Sequence, residues 1–269
     1  MTSRPGRLVL LGHPVRHSLS PLFQNAALRS AALPLVYEAL DVPPTALPSM
    51  VRELVAARAA GNVTVPHKEA FAGLCDRRTA LAERVDAVNT FWIADDGALM
   101  GDNTDVGGFD ELVRGTIGRT PTACDVALLG AGGAAAAVLA AIEQWSAARV
   151  TLHNRTRERA EHLAARFPVV SNVADDAERA VADADIIVNA TTVGLRDDTH
   201  PVPVTALHPG QVVIDLVYRR GGTPWVRAAR ACGLVASDGL GMLLEQGALA
   251  FERWFGLDAP REVMREAVA

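Results

Sequence analysis

The sequence predicts an α/β protein with an N-terminal α/β domain and a C-terminal domain built on a doubly wound parallel sheet. Its 269 residues exceed what one minimal core needs, and 49% of them are apolar, which is enough for packed interiors. From about Cys124 onward, short apolar runs alternate with helical patterns, as in parallel strands joined by helices. The first hundred residues alternate too. We therefore expect one domain at 1–105, completed by C-terminal helices at 239–269, and a second at 106–238.

The elements of the first domain follow from apolar runs that are bounded by Gly, Pro and Asp. Strands are expected at 7–12, 35–40, 62–65 and 89–93. Helices are expected from about Ser20, from Thr45 to Ala60, and just after Lys68.

The second domain begins with the apolar run CDVALLG at 124–130, which leads into a Gly-rich turn and an Ala-rich helix reaching Trp145. Helices are expected near Thr156, after Pro224 and from Gly239 onward. Further strands are expected at 149–153, 184–190, 211–217 and 233–236. Because these runs are short and β-rich, they are typical of parallel strands buried on both faces.

Composition and charge exclude several classes of protein. A formal charge of −5 leaves no basic surplus for an electrostatic nucleic-acid binder. No apolar run approaches the ~20 residues of a membrane span, and Leu8 to Leu11 is too short for a signal-peptide core. The three cysteines have no metal-ligand spacing and indicate reduced thiols. We therefore expect a cytoplasmic protein with no metal, nucleic-acid or membrane partner.

A glycine-rich turn between a predicted strand and a predicted helix indicates a dinucleotide site. The run GAGGAA at 130–135 matches the pattern G-x-G-x-x-A. The first glycine allows the tight turn, the second lets the backbone approach a pyrophosphate, and the small sixth residue allows close packing of helix and strand. The helix N-terminus supplies N–H donors and a positive dipole. The context predicts a Rossmann-type domain.

The end of the next strand indicates which dinucleotide is bound. An NAD site usually has an acid there for the ribose 2′-hydroxyl. Here the run NRTRERA has no acid at the strand end and carries Arg155, Arg157 and Arg159. A guanidinium fork suits a 2′-phosphate, so we expect NADP(H). The alternative is an ordinary solvated helix start in which Glu158 and Glu161 pair with these arginines.

Polar loops follow the short strands of the first domain. They lie at 12–21, 62–68, 86–90 and 101–105 and are rich in Ser, Thr, Asn and Asp. Ligands of open α/β sheets bind at the carboxyl ends of strands, so these loops could hold a small polyol or carboxylate. The alternative is structural: Ser20 before Pro21 suits a helix N-cap, and Asn-Thr pairs form turns.

Seven motifs resemble those of the shikimate dehydrogenases, in the same order and spacing. They are HSLSP, NVTVPHK, DAVNT, GDNTDVGG, GAGGA, NRT and DGLGMLLEQ, and the resemblance runs from about residue 8 to residue 256. It implies an N-terminal substrate domain, a Rossmann domain and the NADPH-dependent reduction of 3-dehydroshikimate to shikimate, in chorismate and aromatic amino acid biosynthesis. A monomer or homodimer is expected.

The resemblance also implies roles for individual residues. It makes Lys68 and Asp105 catalytic and gives Ser18 and Ser20 the substrate carboxylate. The residues expected to hold the ring hydroxyls and the lysine are Thr64, Asn89, Tyr218 and Gln246. The residues expected to bind the cofactor are Gly130, Ala131, Gly132, Gly133, Ala134, Asn154, Arg155, Thr156, Arg159, Thr191, Gly239 and Met242.

Two positions depart from the family pattern. Asp86 stands where the family usually has glycine, so an extra acid lies close to the motif of Asn89 in the chain. It could perturb Lys68 or point away. The alanines at 134–137 occupy a stretch where the family often has an arginine, which removes one candidate phosphate contact.

Lys68 is the only lysine among 26 basic side chains. Reduction of a ketone creates an alkoxide that needs a proton or a nearby positive charge, and an ammonium supplies both. Arginine, with a pKa above ~12, is a poor proton donor. Alternatives within the class are a quinate/shikimate or aminoshikimate dehydrogenase. A non-catalytic NADP-binding regulator is the alternative outside it, but that protein would not need both Lys68 and Asp105.

Overall fold

The computed structural model describes residues 4–269 and has the predicted α/β architecture. The chain divides into two compact units. The first runs to Gly108 and resumes at Leu243–Ala269, and the second is Phe109–Met242. The first predicted domain begins at residue 1, and residues 1–3 lie outside the described part of the chain.

The first unit holds a six-stranded mixed sheet with the order β2-β1-β3-β5-β6-β4. Its strands are β1 (Arg7–Gly12), β2 (Tyr37–Asp41), β3 (Ala59–Val63), β4 (Arg77–Arg78), β5 (Thr90–Ile93) and β6 (Leu99–Asp102). Its helices are α1 (Ser20–Ser30), α2 (Leu47–Ala56), α3 (Lys68–Ala72), α4 (Ala80–Val85), the start of α5 (Asp105–Ile117), most of α10 (Leu240–Phe255), and α11 (Arg261–Glu266). Strand β5 is antiparallel to both β3 and β6, and the other pairs are parallel.

The predicted helix from Thr45 to Ala60 is wrong at its end. Helix α2 stops at Ala56, and Arg58 has a φ of +48°, which ends the helical path. Ala59 and Ala60 instead begin β3, fully buried beside β1. Alanine has the highest helix propensity, but packing against the neighbouring strand overrides it here.

Strand β1 lies at the centre of two hydrophobic layers. Leu8 and Leu10 pack into a cluster with Phe23, Phe251 and residues of the C-terminal helices. The alternating residues Val9 and Leu11 pack into a second cluster on the other face. Because both faces are covered, the strand has the continuous apolar run that the sequence shows.

The second unit holds a six-stranded parallel sheet with the order β12-β11-β10-β7-β8-β9. Its strands are β7 (Asp125–Leu129), β8 (Arg149–His153), β9 (Val170–Val173), β10 (Ile186–Asn189), β11 (Val212–Asp215) and β12 (Val235–Asp238). Helices α6 (Gly133–Ile142), α7 (Arg157–Arg166), α8 (Ala177–Val181) and α9 (Pro224–Ala231) connect them. The sequence did not predict β9 and α8, because the partly exposed run VSNV has no continuous apolar pattern and α8 has only five residues.

Chain order reverses between β7 and β10, and their carboxyl ends lie level. Leu129 pairs with both His153 and Asn189, and Asn189 pairs with Asp215. The loops that follow these strands therefore leave the sheet at one edge, beside the switch point where open α/β sheets bind ligands. Within residues 4–269, no helix is both long and apolar enough to cross a membrane.

Candidate active site

Two polar side chains of the first unit form a close ion pair. Lys68 is the first residue of α3 and Asp105 the first of α5. The Nζ atom of Lys68 lies 2.6 Å from Oδ2 of Asp105. Only 7% of the Asp105 side chain is exposed, against 21% for Lys68. The carboxylate also lies in the first turn of α5, where the helix dipole favours a negative charge.

Asn89 holds the second oxygen of this carboxylate. Its Nδ2 donates to Oδ1 of Asp105 at 2.8 Å and lies 3.0 Å from the Thr104 hydroxyl. Its Oδ1 accepts from the backbone N–H of Thr104 at 2.7 Å. Gln246, on α10, contacts the same amide at 3.3 Å through Oε1. The pair and its two amide neighbours therefore form one buried cluster in which the Asp105 carboxylate has a defined orientation.

Asp102 and Asn103 support this cluster. The sequence pattern gives Asp102 no role and makes the Asn103 amide a candidate to bind a polyol or carboxylate, but in the structure that side chain bonds to the protein backbone. Asn103 is 1% exposed, and its side chain donates to Ala87 O at 2.9 Å and accepts from the Asp105 N–H at 3.2 Å. Asp102 in turn accepts from the Asn103 N–H at 2.8 Å. The signal for both was present in the motif GDNTD, whose polar residues directly precede Asp105.

The two predicted carboxylate-binding serines follow β1, with Ser18 in the loop and Ser20 at the start of α1. The Oγ of Ser18 accepts from the Ser20 N–H at 3.2 Å. The expectation that Ser20 caps the helix is wrong, because α1 begins at Ser20 itself and its N-cap, Leu19, has no side-chain cap. Within residues 4–269, Ser20 and Thr64 form hydrogen bonds through their backbone N–H groups and none through their hydroxyls, so both hydroxyls can serve a ligand. Thr64 directly follows β3.

In the second unit, the predicted phosphate loop follows β7 at the switch point. Gly130 has a φ of +114°, and a Cβ there would lie 2.8 Å from Ala190 O in the loop after β10, so glycine is required. Gly132 is the N-cap of α6 and has no side chain to bind the first N–H groups. No atom lies within 4 Å of a Cβ placed at Gly132. Ala131, Gly133 and Ala134 complete an open cradle of amides that fits a pyrophosphate.

The arginines after β8 divide into two kinds. Arg157 pairs with Glu161 at 2.7 Å and with Asp175. Arg155 and Arg159 are exposed and form no ion pair within the described chain, so the alternative of pairing with neighbouring acids holds for Arg157 alone. Two unpaired guanidinium groups fit a 2′-phosphate.

Asn154 and Thr156, which are also predicted to bind the cofactor, lie in the same run. The Asn154 side chain donates to Thr156 O at 2.8 Å. This bond closes the turn that precedes α7. It places both residues between β8 and the exposed Arg159.

A buried polar network holds the loop after β10. Thr191 donates from its hydroxyl and its N–H to Asn189 Oδ1, at 2.6 and 3.0 Å. Asn189 donates to Asp215 at 2.8 Å, and Asp215 accepts from Thr223 at 2.7 Å. Burial raises the pKa of Asp215, although these hydrogen bonds oppose the shift. The sequence did not single out Asn189 or Asp215, because both lie inside apolar strand runs.

The remaining predicted residues of the second unit follow β11 and β12. Tyr218 lies three residues after β11. Gly239 directly follows β12, and a Cβ there would lie 2.2 Å from Leu216 O, so no larger residue fits. Met242 is in the first turn of α10 and is 9% exposed.

Asp86 points away from the lysine. It has a φ of +57° at the end of α4, a conformation that explains why glycine is common at this position. Its side chain is 65% exposed and pairs with Arg78 at 3.0 Å. The extra acid is therefore a surface group.

Three family models match successive parts of the chain. They describe the shikimate dehydrogenase substrate binding domain at residues 10–91, shikimate/quinate 5-dehydrogenase at 112–196, and the shikimate 5′-dehydrogenase C-terminal domain at 239–269. The NADP(+) shikimate dehydrogenase of Methanopyrus kandleri is 43% identical, over 96% of this chain and 93% of its own.

Solved structures agree over nearly the whole length. The shikimate dehydrogenase of Aquifex aeolicus superposes with a TM-score of 0.91 at 36% identity, covering 100% of this chain and 99% of its own. The Thermus thermophilus enzyme, in complex with NADP(H) and shikimate, has a TM-score of 0.88 at 40% identity and covers 97% of each chain.

Proposed function

Because the chain belongs to the shikimate dehydrogenase family, we propose that it reduces 3-dehydroshikimate to shikimate with NADPH and catalyses the reverse oxidation. The observation that carries the proposal is the contact of 2.6 Å between the chain's only lysine and the buried Asp105. A non-catalytic dinucleotide-binding protein has no need for this pair. The reaction serves chorismate and aromatic amino acid biosynthesis.

The first unit binds the cyclic acid. The loop of Ser18 and Ser20 offers hydroxyls, and the N–H groups at the start of α1 are close in the chain, so a carboxylate is the ligand this loop suits. The unpartnered Thr64 hydroxyl and the side-chain amide of Gln246 are the groups for ring hydroxyls. Tyr218, in the second unit, stays a prediction from the family resemblance as a substrate-binding residue.

Lys68 supplies the proton. As the carbonyl oxygen gains negative charge, the ammonium donates a hydrogen bond and then its proton, and in the reverse direction the neutral amine accepts the proton of the hydroxyl. Asp105 orients Nζ and keeps the cation beside the reacting oxygen. Asn89 fixes the carboxylate by holding its other oxygen, so the Lys68–Asp105 pair keeps its orientation throughout the cycle.

The second unit binds NADP(H). The cofactor supplies the hydride that the substrate carbon receives. The cradle at 130–134 fits the pyrophosphate, and Arg155 and Arg159, with Asn154 and Thr156, fit the adenosine 2′-phosphate. Thr191 and Gly239 belong to loops that follow β10 and β12, and Met242 lies in the first turn of α10. We expect the enzyme to act in the cytoplasm, in keeping with its free cysteines. We also expect it to be a monomer or homodimer.

The test is a comparison of four substrate pairs. The purified protein is mixed with shikimate or quinate and with NADP+ or NAD+, and formation of reduced nicotinamide is followed by absorbance. Shikimate with NADP+ is expected to give the highest kcat/KM. Turnover of quinate with NAD+, without turnover of shikimate with NADP+, would overturn the proposal. Lys68→Ala serves as the control for contaminating activity.

A further inference from the structure

A second ion pair lies behind Lys68 and Asp105. The Asp102 side chain is 3% exposed, and its Oδ2 accepts from Nη2 of Arg253 at 2.7 Å. The guanidinium group of Arg253 also lies 5.5 Å from the ring centroid of Trp92, which stabilises its position. A carboxylate this buried is stable only when it is paired, so Asp102 depends on Arg253.

Hydrogen bonds connect this pair to Asp105. Oδ1 of Asp102 accepts from the Asn103 N–H at 2.8 Å and from the Thr79 hydroxyl. The Asn103 side chain then accepts from the Asp105 N–H at 3.2 Å. Movement of the Asp102 carboxylate would therefore pass through one residue to the backbone of Asp105.

A parallel route runs through the backbone to Asn89. The Asp102 carbonyl accepts from the Asn89 N–H at 3.1 Å. The Asn89 side chain holds Oδ1 of Asp105. The first route therefore ends on the backbone of Asp105, and the second ends on its carboxylate, which contacts Lys68.

Helix α10 carries the two residues that reach this region. Gln246 and Arg253 are seven residues apart, so they lie on the same face of the helix. Gln246 contacts Asn89, and Arg253 contacts Asp102. The ion pair is therefore one of the contacts that hold α10 beside the segment leading into Asp105.

We propose that Asp102 and Arg253 are positioning residues that hold Asp105 and Gln246 in their working geometry. The inference rests on the proposed function. It gives Arg253, about half exposed and 151 residues from Asp102 in the chain, a role in turnover without contact to the substrate. A misplacement of about 1 Å in a catalytic group can lower a rate by ~100-fold, so loss of the ion pair should affect kcat.

The alternative is that Arg253 only anchors the C-terminal helix, and Arg261 provides the matched control. Arg261, at the start of α11, pairs with Glu245 at 2.6 Å and with Glu252. Both acids lie on α10, but none of the hydrogen bonds of Arg261 reaches the loop at 101–105. Loss of Arg261 therefore weakens the attachment of the same helix without breaking the connection to Asp105.

The kinetic experiment compares Arg253→Ala, Arg253→Lys and Arg261→Ala with the wild type. Rates are normalised to the folded fraction from thermal unfolding. We expect Arg253→Ala to lower kcat by about 10- to 100-fold, Arg253→Lys to restore part of it, and Arg261→Ala to change kcat by less than about twofold. The Kd of NADP+ should stay the same in all variants, because the residues proposed to bind it lie in the second unit. A wild-type kcat in Arg253→Ala, or an equal loss in Arg261→Ala, would overturn the proposal.

The single lysine allows a second measurement that does not depend on activity. Labelling with 15N-lysine gives one side-chain ammonium resonance, which reports the contact of Lys68 with Asp105. We expect Arg253→Ala and Asp102→Asn to shift this resonance and Arg261→Ala to leave it unchanged. An unshifted resonance in the first two variants would refute the positioning role. If the wild type fails to oxidise shikimate, the proposed function is wrong, and this measurement still decides the structural inference.

Discussion

Replacing Lys68 with arginine separates the charge of this side chain from its proton. In the wild type, Nζ lies 2.6 Å from a carboxylate that is 7% exposed. Arginine keeps a cation beside Asp105, so the carboxylate stays paired and the free energy of unfolding should change little. It does not keep a group that gives up a proton near neutral pH.

The expected magnitude follows from what each variant removes. General acid catalysis contributes about 10²- to 10⁴-fold, so Lys68→Arg should lower kcat by ~10³-fold, or about 4 kcal/mol of activation free energy. Lys68→Ala also removes the charge beside the developing alkoxide, which is worth a further ~10²-fold. It leaves Asp105 with Asn89 as its remaining side-chain donor in the described chain, and the lost contact should cost about 1–3 kcal/mol of stability.

The assay measures kcat for shikimate oxidation under saturating NADP+, with thermal unfolding and NADP+ titration on the same samples. Both variants should bind NADP+ like the wild type, since the proposed cofactor residues belong to the second unit. A kcat for Lys68→Arg within about tenfold of the wild type would refute the reasoning, because the positive charge alone would then account for the activity.

Three further predictions concern other groups. The double substitution Arg155→Ala, Arg159→Ala should weaken NADP+ binding by ~100-fold and leave NAD+ binding unchanged in calorimetry, and an equal loss for both would contradict 2′-phosphate recognition. Burial raises the pKa of Asp215, so the folded state holds this proton more tightly than the unfolded chain, and stability is lost as pH rises through the raised pKa of the folded state. The melting temperature of Asp215→Asn relative to the wild type should therefore increase as pH rises above the ordinary range of an aspartate, whereas a constant difference would argue against a buried charge. Burial raises the pKa of the Cys75 thiol to about 12, while Cys232 is exposed. A thiol reagent at about pH 8 should therefore modify Cys232 first and Cys75 only after unfolding, and peptide mapping of the modified protein measures this order.

Local patterns predicted the elements that are buried on both faces. Strands β10 and β11 each begin with three consecutive Ile or Val residues, a pattern typical of parallel strands buried on both faces. The sequence pattern does not predict strand β9, because Ser171 and Asn172 interrupt its apolar residues. The local pattern predicts a helix at Ala59 and Ala60, because alanine has no preference for a sheet. Their burial beside β1 is what makes them part of a strand.

The site was predictable where its residues belong to ordered motifs. Lys68 and Asp105 are 37 residues apart, and no periodicity connects them; the resemblance to a family paired them. The contact of Arg253 with Asp102 spans 151 residues, and Arg253 lies in no motif. One arginine among so many carries no local signal, because its importance comes from the carboxylate that the folded chain places beside it.

The distribution of basic residues therefore has two causes. Where a cation only has to hold an acid, arginine serves well: Arg149 pairs with Asp125 through two hydrogen bonds, and Arg261 binds Glu245 and Glu252 together. Its planar fork and permanent charge suit fixed contacts. A group that must give up and regain a proton in each cycle needs a cation that titrates. Arginine does not give up its proton near neutral pH, so the proposed proton transfer accounts for the single lysine beside Asp105.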